Sequence, residues 1–273
     1  MIIKTLVENT SISPEFDNRH GLSFYLETGN HKILFDLGQD ELFLENAKKM
    51  DVDIQKVDTV ILSHGHYDHG GGLKTFLKHN HHAKIYIREN AFEPHFSHSP
   101  AGYKENGLDV SLKNETQLIF TGNLEKIDEK MLLFSDVIPE ELFSHANQNL
   151  YREQGQEKIP DDFSHEQNLI VCEGEKRILL AGCSHAGILN IKRKAENILG
   201  ENITHIIAGF HLYNPSLKKS ESDDFIHAVG RRLKEENVMC YTCHCTGEHA
   251  YQLLYEDLNG KIGYLATGSS LIL

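Results

Sequence analysis

The sequence predicts an α+β fold, a layered sandwich of sheets with helices outside, from three observations. Strand-like runs dominate the start of each half of the 273-residue chain. Amphipathic helical runs alternate with short apolar strands in the later part. At roughly 150 residues per domain, the length suits one large domain or two small ones and is ample for a sizeable core. We read residues 1–273 as a single domain, with a loop-rich insertion at about 90–165.

Residues 2–7 are apolar enough for a strand. Leu22 to Glu27 alternates, Gly29-Asn30 turns and Lys32 to Asp36 returns, which predicts a hairpin. Asp40, Leu42, Phe43, Ala47 and Met50 have helical spacing behind an Asp cap. The compact run VDTVIL (57–62) reads as a buried strand and leads straight into SHGHYDHGGG. A helix over 73–78 and a strand over 83–87 follow. Residues 90–165 are polar and irregular, with Pro94, Pro100, Pro139 and Pro160. Their strand-like pieces at 117–120 and 131–134 are expected to complete one sheet, with long loops over the site. Next come a hairpin of 169–172 and 177–180, a helix over 188–199 and a strand over 205–208. A helix over 223–236, a strand over 238–242, a helix over 249–258 and a strand over 262–265 close the pattern.

Composition narrows the function. Apolar residues make up 40% and charged residues 25%, which excludes wholesale disorder. The formal net charge of −13 argues against nucleic acid, whose binders need a basic footprint. No apolar run approaches the ~18–20 residues of a membrane span, and MIIKTLVENTS has no signal-peptide pattern. A cytoplasmic location is therefore expected, where the 5 Cys would be thiols or ligands rather than disulfides. The 18 His permit metal chemistry, and their placement decides it.

His64-x-His66-x-Asp68-His69 carries the strongest signal. Four ligand-type side chains fall within six residues at a strand end, followed by Gly70, Gly71 and Gly72. His and carboxylate are ligands for Zn, Fe or Mn. His64 and His66 can hold one ion while Asp68 and His69 reach a second. His79, His81 and His82 read instead as a solvated helix end. Cys240-x-x-Cys243-His244 matches a haem-attachment pattern, but that chemistry needs export. Structural thiols are the reading for Cys243 and Cys245, flanking His244. Asp161, Asp162, His165 and Glu166 read as solvated loop.

SHGHYDHGGG resembles the H-x-H-x-D-H signature of the metallo-β-lactamase superfamily. HGLSFYLETGNHKILFDLG resembles the strands and Asp-x-Gly turn that open that fold. LLAGCSHAGI, IIAGFHL and CHCTG are similar to a narrower branch, which includes dihydropterin-ribofuranosylaminobenzene phosphate synthase-like proteins and metal-dependent hydrolases. The resemblance implies a four-layer αββα sandwich with a dinuclear site, usually of Zn, with Fe or Mn as alternatives. It makes His185 and His244 metal ligands beside His64, His66, Asp68 and His69. His211 is then an acid or base near the metals, or a ligand. Where the family has a bridging Asp, this chain has Cys183, either a soft ligand or a small buried residue. Asp36 either orients a metal-bound His or caps a turn. The family's third His falls near 85–98; His95 either substitutes for it or is a loop residue, the reading we favour.

The implied activity is metal-assisted hydrolysis of a small anionic ester or phosphoester, with Asp68 and His211 as the catalytic residues. Arg88, Arg152, Arg193 and Lys192 are candidate anion contacts. A transferase like the branch's synthase and a non-catalytic metal sensor are the rivals.

Overall fold

The computed structural model describes residues 1–273, which divide into two compact units. Unit 1 comprises Met1–His95, Glu105–Thr121 and Leu265–Leu273; unit 2 comprises Phe96–Lys104 and Gly122–Tyr264.

The chain opens with β1 (Ile2–Val7), β2 (Ser23–Glu27), β3 (Lys32–Phe35), α1 (Leu42–Lys49), β4 (Thr59–Ile61), α2 (Tyr67–Gly70), α3 (Leu73–His79) and β5 (Lys84–Ile87). The middle holds β6 (His95–Ser99), β7 (Gly102–Glu105), β8 (Leu118–Phe120), β9 (Leu124–Lys126), β10 (Met131–Ser135), β11 (Leu150–Gln154) and β12 (Glu157–Pro160). Then come β13 (Gln167–Glu173), β14 (Lys176–Leu180), α4 (Ile188–Leu199), β15 (His205–Ala208), β16 (Tyr213–Asn214), β17 (Lys219–Ser220) and α5 (Asp223–Glu235). The last elements are β18 (Met239–Thr242), α6 (Glu248–Asp257), β19 (Ile262–Tyr264) and β20 (Ser270–Ile272).

Unit 1 is built on a seven-stranded sheet of order β20-β1-β2-β3-β4-β5-β8. Strands β3, β4, β5 and β8 run parallel, so their carboxyl ends share one edge. A parallel strand buried on both faces reads as a near-continuous apolar run, as Val60, Ile61 and Leu62 do here. Leu34, Phe43, Val60, Phe76 and Ile85 belong to the core of this unit. Unit 2 carries a second seven-stranded sheet, β19-β18-β15-β14-β13-β10-β9, in which β14, β15, β18 and β19 are parallel. Helix α4 buries Ile188, Leu189, Ile191 and Ala195 and stops at Gly200, whose φ is 70°. Helix α5 starts on Ser222, which accepts from Phe225 N, and has Asp223 and Asp224 in its first turn.

The middle segment differs from expectation. Its two anticipated strands do not complete one sheet: β8 joins the first and β10 the second. Much of the remainder is strand rather than loop, with a four-stranded sheet of order β12-β11-β6-β7. These four strands are mostly half-exposed and polar, so they lack the apolar alternation that marks a strand in sequence. Strand β20, antiparallel to β1, was likewise not anticipated. No helix is long and apolar enough to cross a membrane.

Candidate metal centre

In unit 1 the candidate donors follow the carboxyl ends of parallel strands, where ligand sites of such sheets collect. Asp36 follows β3 with φ 62°, and His64 follows β4. Asp36 is fully buried and accepts three hydrogen bonds: Ser63 N at 2.7 Å, Ser63 Oγ at 2.8 Å and His69 Nδ1 at 2.7 Å. Because the Ser63 hydroxyl donates to Asp36, its oxygen accepts from His64 Nδ1, 2.8 Å away. Both rings therefore carry their proton on Nδ1 and leave an Nε2 lone pair to bind an ion. His64 Nε2 lies 3.1 Å from His66 Nδ1, close to the ~3.3 Å between two nitrogens on one tetrahedral Zn ion. Asp68 lies beside them, its Oδ2 3.1 Å from His20 Nε2 and 3.8 Å from His69 Nε2. Three imidazoles and a carboxylate, all buried and with the His64 and His69 tautomers set, fit a borderline divalent ion.

Gly65 has no room for a side chain. A Cβ there would meet Ala91 O at 2.5 Å, Ala91 Cα at 2.9 Å and His95 Nε2 at 2.9 Å. Two of those contacts are backbone and cannot rotate away. Gly65→Ala is expected to lower unfolding free energy by about 1–3 kcal/mol, measurable by urea denaturation. Unchanged stability would mean that the loop has slack.

In unit 2 the strand ends of β14, β15 and β18 carry Cys183-Ser184-His185, His211 and His244-Cys245. Three of these residues have left-handed backbone: Ser184 at φ 58°, His211 at 47° and His244 at 51°. Non-glycine residues persist there only when their surroundings over-determine them. Gly209 N donates to Gly182 O, and Phe210 N donates to Thr246 Oγ1, both at 2.8 Å. Thr242 Oγ1 donates to Ala208 O at 2.9 Å. These bonds staple the three turns together. His185 Nδ1 lies 2.8 Å from Asn147 Oδ1, and Phe163 stacks on the ring at 4.4 Å and 3°. His185 thus has Nε2 as its acceptor, and its ring centroid is 4.2 Å from that of His211. Burial pushes the Glu166 carboxyl up, only partly offset by the N–H groups of Ala186 and His185 that it accepts. Burial alone would also raise the Cys245 thiol, but Cys183 and the imidazoles of His211 and His244 hold it well below the ordinary thiol range.

Residues 17–230 match the family model described as the metallo-beta-lactamase superfamily. The chain belongs to the metallo-beta-lactamase superfamily. Its two seven-stranded sheets and helices are consistent with that superfamily's sandwich. The chain is 28% identical over 270 residues to the MJ0448 protein of Methanocaldococcus jannaschii, covering 97% of this chain and 98% of that one. It is 27% identical over 284 residues to that organism's 7,8-dihydropterin-6-methyl-4-(beta-D-ribofuranosyl)-aminobenzene-5'-phosphate synthase, covering 97% and 94%. The crystal structure of Tm1679, described as a metal-dependent hydrolase of the beta-lactamase superfamily, is similar with a TM-score of 0.83 at 30% identity, covering 100% and 99%. Metallo-beta-lactamase superfamily members are mostly metal-dependent hydrolases that bind divalent ions, which supports an enzyme.

Within this member of the metallo-beta-lactamase superfamily, unit 1 brings together Asp36, His64, His66, Asp68 and His69. Unit 2 brings together Cys183, His185, His211 and His244. Several readings need correction. His95 is not a loop residue: it is buried at the first position of β6, its ring 5.8 Å from that of His66. Asp161 and His165 are not solvated either; both are buried, with Oδ2 and Nε2 3.2 Å apart. Of the two readings left open for Asp36, its contact with His69 Nδ1 at 2.7 Å agrees with the one in which it orients an imidazole. The candidate anion contacts are engaged elsewhere. Lys192 pairs with Glu196 and Glu236, Arg193 with Glu140, Arg152 with Asp162, and Arg88 donates to Thr121 O. Sequence reasoning passed over Ser63 and Asn147, and read Glu166 as solvated loop and Cys245 as a structural thiol; Glu166 is buried and accepts from His185 N and Ala186 N. The Asp161-x-x-x-His165 spacing and the Cys183 and Cys245 pair were the available signals. The cluster of His79, His81 and His82 is exposed, as expected.

Proposed function

We propose that this chain is a metal-dependent hydrolase of a small anionic ester or phosphoester, working at a dinuclear site, most favourably of Zn. The single observation that carries the reading is the proton chain of unit 1. Asp36 and Ser63 fix His64 and His69 with Nε2 lone pairs beside His66 and Asp68. His64, His66, Asp68 and His69 would be ligands from unit 1, with His185 and His244 added by the family's sequence pattern. Divalent ions held there would supply acidity to water and positive charge to both reacting oxygens. Asp68 would hold an ion or take the proton of that water, and His211 would carry a proton or act as a ligand. Positive charge at the site also offsets the repulsion that a net −13 protein exerts on an anion.

The synthase similarity over 97% of the chain favours one second reading, transfer that joins a dihydropterin to a ribofuranosylaminobenzene phosphate. The test is turnover by Zn- or Mn-loaded protein on p-nitrophenyl carboxylic esters, phosphomonoesters and phosphodiesters, beside the pterin pair. Release of p-nitrophenol is the expected result. Condensation of the pterin pair without hydrolysis would assign transfer. Stoichiometric metal binding with no turnover of either set would favour a sensor.

A further inference from the structure

The unit 1 donors His64, His66, Asp68 and His69 are imidazoles and a carboxylate. Unit 2 of this chain offers a different set. Cys183 Sγ, Cys245 Sγ and one ring nitrogen of His211 all lie within 4.8 Å of one another, on buried residues. They come from three successive strand ends, those of β14, β18 and β15.

Two further observations point to a ligand. Both ring nitrogens of His211 are buried with no hydrogen-bond partner, although the residue is only 6% exposed. A buried imidazole with neither nitrogen satisfied is unfavourable unless something else occupies it. The backbone has also made room. A Cβ on Gly209 would stand 2.5 Å from Cys245 Sγ and 3.0 Å from Gly182 O, so only glycine lets the β15 turn close on that sulfur. His211 itself holds a left-handed backbone, φ 47°, that a non-glycine residue adopts at a cost.

We propose that Cys183, Cys245 and His211 form a sulfur-rich metal site within unit 2, selective for a thiophilic divalent ion such as Zn²⁺ or Cd²⁺ over Mg²⁺ or Mn²⁺. Two thiolates and an imidazole are soft to borderline donors, the set that Zn and Cd prefer and hard ions avoid. Each thiol gives up its proton to solvent on binding, no electrons are transferred, and affinity rises with pH. Three protein donors leave a tetrahedral ion one open position. The site assigns His211 a ligand role and takes its three donors from residues of unit 2.

The full-length protein, stripped of metal by chelator, is titrated with Co²⁺ and Cd²⁺ while near-ultraviolet thiolate-to-metal charge-transfer absorption is followed. The wild-type chain is expected to show that absorption, and Mg²⁺ is expected not to compete. Cys183→Ser and Cys245→Ser should each weaken Cd²⁺ binding at this site by at least about a hundredfold, at or beyond the top of the 10–100-fold range for groups that merely orient a ligand. His66→Ala should keep the absorption even if it abolishes hydrolysis, which separates this site from the unit 1 reading. Anomalous diffraction from Cd²⁺-soaked crystals of the unaltered chain covers the case in which a Cys variant does not fold. It should place an ion on both sulfurs. Absence of thiolate absorption in the wild type, its loss in His66→Ala, or Cd²⁺ bound away from Cys183 and Cys245 would each overturn the proposal.

Discussion

His66→Ala and Asp68→Ala are expected to lose turnover by at least about a thousandfold and to retain less than the full metal complement, with the fold intact. Each side chain is buried beside a neighbouring donor, so truncation deletes one lone pair from the set that would hold the ion. Removing one preorganised electrostatic group from an active site typically costs 10²–10³ in rate, and a metal ligand contributes the ion as well. The measurement is kcat on a p-nitrophenyl ester or phosphoester together with elemental analysis of the same sample. Full metal content in both variants would sink the dinuclear assignment.

Asp36→Ala should be the most destabilising single change in unit 1. It leaves Ser63 N, Ser63 Oγ and His69 Nδ1 without their common acceptor inside the protein. At about 1–3 kcal/mol for each orphaned buried donor, a loss of at least about 3 kcal/mol is expected in urea denaturation. The function should suffer separately from the fold. His69 is freed to rotate, and His64 loses the Ser63 oxygen as a fixed acceptor, so metal affinity should fall by about 10–100-fold. Asp36→Asn keeps one acceptor oxygen and should fall between wild type and Ala in both measurements. A neutral Asp36→Ala would return this residue to the role of turn cap.

How much of this was legible beforehand depends on what each residue type signals. The parallel strands announced themselves, because burial on two faces leaves a compact apolar run such as VIL (60–62) or IIA (206–208). Helices α4 and α5 were equally plain from their apolar stripes. The half-exposed strands β6, β7, β11 and β12 were not, since polar residues on both faces erase the period that marks a strand. The His-x-His-x-Asp-His cluster was legible because its donors are adjacent in sequence. Ser63, Asn147 and Glu166 were not, because they act on a donor through one hydrogen bond made across the fold. Their residue types occur throughout any polar loop. His95, Asp161 and His165 were misplaced for a related reason: they lie in a polar stretch whose burial only tertiary structure creates.

The left-handed residues have a consequence for redesign. On backbone preference alone, positions 184, 211 and 244 ask for glycine or asparagine, yet the chain places Ser and two His there. A procedure that chooses amino acids by their ease on this backbone would therefore overwrite His211 and His244. The resulting protein would gain stability and lose the very side chains for which the turns are bent. Alanine scanning misleads in the same region, because Ala inherits the strain while removing the donor. Glycine is the cleaner replacement, and the stability difference between the two substitutions measures how much conformational tension the native chain tolerates to keep these side chains in place.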